Sequence, residues 1–126
     1  MSALVLDAGA LIAVDRNDRR VVAMLEVAQR EGRDLRTNAN VVAQVWRDPK
    51  GRQVRLARLL SGVDVRSITE EMGRAAGVLL GAEGGDVVDA SVVLIANSGD
   101  YIVTSDPIDI KQLIAASGSA AFVIAL

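Results

Sequence analysis

Asp7, Asp86, Asp89, Asp106 and Asp109 are the residues through which this chain could do chemistry. Four of them fall in the single stretch GGDVVDASVVLIANSGDYIVTSDPIDI. Asp89 stands there between two valines and a run of small and apolar residues. An unpaired carboxylate in such surroundings costs several kcal/mol or takes up a proton, so it needs a cation, hydrogen-bond donors or water. Asp86 and Asp89 are spaced i, i+3 and share one face of a helix. A few carboxylates around one or two Mg²⁺ or Mn²⁺ ions make the oxygen-rich site these hard cations prefer. Such an ion lowers the pKa of bound water and neutralises charge on a phosphodiester being cleaved.

The residues that are missing narrow the chemistry further. The chain has no His and no Cys. That removes the usual general base near neutral pH, Ser-His and Cys-His nucleophile systems, His- or thiolate-ligated zinc and disulfides. Carboxylates, hydroxyls, Arg, Lys or a bound cofactor remain.

Each aspartate also has a plainer role open to it. Asp7 and Asp86 suit helix N-caps, Asp106 precedes Pro107 in a turn or cap position, and Asp109 suits a first helical turn. Only their combination argues for a shared site.

To bring these residues together, the chain must alternate strands and helices. Its 126 residues, 51% of them hydrophobic, suit one domain spanning residues 1–126 with a real core. Residues 3–6, 63–68, 101–105 and 120–125 read as strands, and DLRT at 34–37 as a possible short one. Helical spacing fills 18–31, 39–47, a resumed helix to about residue 62, 69–82, 86–99 and 107–117, with Asp48-Pro49 interrupting the second of these. The run LIAV, opened by Ala8-Gly9-Ala10, suits a strand passing into a helix, and Asn38 or Asn40 suits the cap before residues 39–47. The pattern predicts an α/β domain with a central, mainly parallel, twisted sheet flanked by helices. ALVL and FVIA read as strands covered on both faces. Open parallel sheets bind ligands beyond the C-terminal ends of their strands, and Asp7 and Asp106 each lie just past a predicted strand. No apolar run is long enough for a membrane helix and the start lacks a basic signal-peptide region, which fits a cytoplasmic protein.

Four stretches in order, LDAGAL, ANVVAQVWR, DVVDASVVLIA and VTSDPIDI, resemble the PIN domain, and most of all the VapC toxins of bacterial toxin–antitoxin systems. The resemblance runs over essentially the whole chain. It implies a PIN-like fold with about five strands, and Mg²⁺- or Mn²⁺-dependent cleavage of RNA. It also implies homodimerisation and inhibition by a VapB-type antitoxin. By that resemblance Asp7, Asp89 and Asp106 match acidic metal-binding positions. Thr104 would offer a hydroxyl near the metal or phosphate, and Asp86 and Asp109 would support the site as outer acceptors or ligands to a second ion.

Gln44 departs from the pattern. Proteins of this kind carry Glu there, so Gln44 keeps the shape and a carbonyl acceptor but lacks the charge. A hard-cation site with one charge fewer binds metal more weakly and loses a candidate base. The chain then reads either as an active nuclease with Gln44 as its fourth catalytic residue, or as a PIN-fold binding module that acts through antitoxin or RNA without cutting. A third class, a phosphoacceptor domain, expects a Lys at the same sheet edge, and only Lys50 and Lys111 exist.

Net charge is −2, unevenly spread: residues 16–66 hold 12 Arg and Lys against 6 Asp and Glu, and residues 67–126 hold 2 against 8. Arg47 and then Arg52, Arg55 and Arg58, three apart, suggest a basic helix side for RNA phosphates or an acidic antitoxin segment, or simply a solvated face. With only Trp46, Tyr101 and Phe122 as aromatic residues, a base-stacking platform is not expected.

Overall fold

The computed structural model describes residues 1–47 and 50–126. Strand β1 (Leu4–Leu6) is fully buried and ends at Asp7. The Asp7 side chain accepts a hydrogen bond from the Ala8 amide and caps helix α1 (Ala8–Asp15). Asn17, with φ 58°, turns the chain into helix α2 (Arg19–Arg30), which is capped by Asp18 and buries Val21, Leu25 and Ala28 at helical spacing. Strand β2 (Leu35–Asn38) ends in Asn38, which caps helix α3 (Ala39–Val45) by accepting from the Val41 amide. Helix α4 (Val54–Ser61) and strand β3 (Asp64–Arg66) follow. Helix α5 (Glu70–Glu83) begins at Thr69 with two acidic residues in its first turn, where they complement the helix dipole. Helix α6 (Val87–Ile95) is capped by Asp86 and buries Ala90, Ser91, Val92, Val93 and Ile95. Strand β4 (Tyr101–Thr104) leads through Asp106 to helix α7 (Pro107–Ser117), closed by Gly118 in the left-handed region. Strand β5 (Phe122–Ala125) completes the fold.

The five strands form one wholly parallel sheet in the order β3-β2-β1-β4-β5. Every helix and the three central strands contribute to a single apolar cluster, with Leu6, Leu11, Leu56, Ile102 and Ile110 fully buried. The chain runs outward from β1 to β2 and β3, then returns to β4 on the other side of β1. That reversal leaves a crevice at the C-terminal ends of β1 and β4, where open α/β sheets bind ligands. No described helix is long and apolar enough to cross a membrane.

The structure corrects three expectations. FVIA is not covered on both faces: β5 is an edge strand, and Phe122 is 55% exposed with its ring stacked on Tyr101. Helix α3 stops at Val45, since Trp46 is extended, and α6 stops at Ile95, since Ala96 is extended. Asp48-Pro49, the expected helix interruption, lies outside the described residues.

Candidate metal centre

Asp7, Asp89 and Asp106 reach one point from three parts of the chain. Asp7 ends β1, Asp89 lies in the first turn of α6, and Asp106 sits at the start of α7. One carboxylate oxygen from each lies within 4.8 Å of the other two. They line a cavity of about 400 Å³ together with Gln44, Asp86 and Asp109.

Asp7 is held most firmly. Its Oδ1 accepts from the Ala8 amide at 2.7 Å, and its Oδ2 accepts from Thr104 Oγ1 at 2.8 Å. The Thr104 oxygen in turn accepts from the Asp106 amide at 2.9 Å. One buried hydroxyl thus ties the first carboxylate to the backbone of the third. The Thr104 hydroxyl therefore lies beside a candidate ligand, with its proton on Asp7 and its side chain fully buried.

Asp89 is braced indirectly. Asn38 Nδ2 donates to Ser91 Oγ at 3.0 Å, and Ser91 Oγ donates to the Val88 carbonyl at 2.6 Å. The cap of α3 thereby fixes the first turn of α6 beside it. Ser91 was not singled out in the sequence, where its only signal was a polar residue within an apolar helix.

Electrostatics set these carboxylates apart from ordinary surface acids. The Asp89 carboxyl is pushed from 3.8 up to about 7, first by burial and then by the negative charges of Asp7, Asp86, Asp106 and Asp109. The Asp7 carboxyl is also raised, chiefly by burial, against the opposing effect of the Thr104 and Ala8 hydrogen bonds. Among the described residues, none of the three carboxylates forms an ion pair. Asp7 is buried, Asp89 half-buried and Asp106 exposed. Crowded carboxylates without ion pairs are the donor set of a hard divalent cation, and these three residues fit one.

The other candidates separate. The Asp86 Oδ1 accepts from the Val88 and Asp89 amides at 2.7 and 3.2 Å, so it caps the helix while facing the cavity. Asp109 lines the same cavity from the first turn of α7. Gln44 is exposed on the cavity wall, and its amide makes no hydrogen bond among the described residues.

The expected arginine stripe is not one surface. Arg52 precedes α4, where Gln53 holds the N-cap position. Arg47 and Arg52 line a second cavity next to the carboxylates, whereas Arg55 and Arg58 line a groove against α2. Gln53 is what breaks the series: its side chain accepts from the Arg47 amide and donates to Asp15 and the Val45 carbonyl.

Gly9, which in the sequence only opens the LIAV run, has a steric role in the site. A Cβ at this position would lie 2.5 Å from Ser105 Oγ and 2.8 Å from Ser105 Cβ. Only a glycine lets α1 approach the β4–α7 turn closely enough to bring Asp7 and Asp106 together. No protein-family model matches the chain, and no curated protein matches it.

Proposed function

We propose that the chain is a Mg²⁺- or Mn²⁺-dependent endoribonuclease of the VapC type. One observation carries the reading: three carboxylates from separate elements converge at the switch point of a parallel sheet, with two of them raised in pKa by burial and mutual repulsion. Asp7, Asp89 and Asp106 would hold the ion. When bound, it supplies Lewis acidity, easing deprotonation of water and neutralising charge on a phosphodiester. Thr104 keeps one Asp7 oxygen oriented, and Asp86 and Asp109 add negative potential that favours the cation further. Gln44 places an uncharged amide where the resemblance expects a carboxylate, which lowers cation affinity and removes a candidate base.

That same amide favours a second reading, a PIN-fold module that binds an RNA or a VapB-type antitoxin without cutting. The resemblance extends to a homodimer under either reading. The deciding experiment compares this chain with Gln44→Glu for cleavage of a structured RNA pool with Mn²⁺ or Mg²⁺. EDTA-sensitive cleavage by either form, lost in Asp7→Ala, supports the nuclease. Cleavage that survives Asp7→Ala overturns it, and binding by both forms without cleavage establishes the module.

A further inference from the structure

A cavity of about 590 Å³ lies beside the carboxylate cavity and shares two wall residues with it, Ile12 and Gln44. Its character is the opposite. Among the described residues Arg16, Arg47, Lys50 and Arg52 line it with a single carboxylate, Asp15, which accepts a hydrogen bond from Gln53. The floor is apolar where Ile12 and Val45 come through. On the far side of the carboxylates, a cavity of about 150 Å³ is walled by Glu83, Asp86, Asp89 and Asp109 and repels phosphate.

A nucleotide combines a flat apolar body with an anionic group. We propose that the basic cavity is a nucleotide subsite that grips a single-stranded RNA on one side of the carboxylates only. The nucleotide next to the bond over Asp7, Asp89 and Asp106 sits with its base and ribose against Ile12 and Val45. Its phosphate faces Arg16, Lys50 and Arg52, and the strand passes the Gln44 wall. Arg55 and Arg58 stand outside this track. The inference rests on the nuclease reading for the identity of the strand, but binding tests it without turnover.

The test is fluorescence anisotropy of a labelled oligouridine decamer with Ca²⁺ present. The combined variant Arg16→Gln/Lys50→Gln/Arg52→Gln is compared with Arg55→Gln/Arg58→Gln. The first variant weakens binding at least tenfold and flattens the log–log salt dependence by about 2, near 0.7 for each lost single-strand phosphate contact. The second stays within twofold of the parent. Equal losses in both variants, or none in the first, overturn the subsite. In the unsubstituted chain, uridine monophosphate shifts the amide NMR signals of residues 12, 16 and 44–46 and leaves those of 22–29 in place; the reverse pattern also overturns it. A chain that cuts RNA but binds it independently of these cations loses the subsite and keeps the nuclease. A chain that binds here and never cuts, even as Gln44→Glu, loses only the nuclease.

Discussion

Thr104 donates its only hydroxyl proton to Asp7, 2.8 Å away, while the same oxygen accepts from the Asp106 amide. Two candidate ligands are therefore set by one side chain that touches no ligand itself. Such supporting hydrogen bonds are worth about 10- to 100-fold in metal affinity. Thr104→Val is expected to weaken Mn²⁺ binding by about that factor, and Thr104→Ser to keep most of it. Isothermal titration calorimetry on the three forms decides; unchanged affinity in Thr104→Val would remove the positioning role.

Asp89 makes the metal-free protein sensitive to pH in an unusual direction. Its folded pKa of about 7 lies above the unfolded value of 3.8, so the folded state binds more protons between them. Stability from this group is fully present below the unfolded value and is lost as pH rises through about 7. Asp7 shifts the same way. Asp100 shifts downward, so its contribution is present above the usual carboxylate range and is lost only in acid. With EDTA, melting temperature should fall between about pH 5 and about pH 8. Mn²⁺ should cancel the fall, and Asp89→Asn should flatten it. A flat melting profile with EDTA would contradict the crowding of these carboxylates.

At the opposite end of the sheet, Arg36 and Asp100 form a buried ion pair at 2.8 Å. Asp100 also accepts from the Ala3 and Asn97 amides, and Arg36 donates to the Ile95 carbonyl. The Arg36 Nε has no hydrogen-bond partner, and Asp64 stands 3.7 Å from it. Asp100→Ala leaves a buried guanidinium, the buried Ala3 amide and the part-buried Asn97 amide without their acceptor. The loss should be about 3–5 kcal/mol, read from urea unfolding. Asp100→Asn, which keeps an acceptor oxygen, should lose less.

Gly9→Ala tests the close approach at the site. The new methyl would overlap Ser105 and push the β4–α7 turn, and Asp106 with it, away from Asp7. Overpacking of this kind costs about 1–3 kcal/mol. Thermal stability and Mn²⁺ affinity should fall together, and a second change, Ser105→Gly, should restore part of both. Restoration of neither would place the damage elsewhere.

Much of this arrangement was legible in the sequence because its signals are local. The five segments that read as strands lie within about two residues of the five strands, and Asp7, Asn38, Asp86 and Asp106 mark helix starts where strand or loop gives way to helix. Asp7 and Asp106 follow from that alternation, because strand ends in a parallel sheet face one edge; Asp89, in a helix that follows another helix, does not. What stayed hidden depends on which strand lies beside which. FVIA reads like a central strand, but the order of the sheet puts it at the edge. Arg36 counts as one more cation until β2 and the start of β4 are brought close on either side of β1. The spacing of Arg52, Arg55 and Arg58 suggests one helix side, yet the helix begins only after Gln53. Gly9 and Ser105 meet only once the whole sheet is built.

The order of strands has a consequence for a chain being made on a ribosome. β1 emerges well before its neighbour β4 and the residue Asp106, and the centre draws on both. Until β4 is free to insert beside β1, a nascent chain carries Asp7 and Asp89 but has neither Thr104 to orient the first nor Asp106 to share a cation with them. A product truncated before β4 keeps two of the three carboxylates and loses both the third and the hydroxyl that orients the first, so the candidate centre closes only when a late strand slots in beside the earliest one.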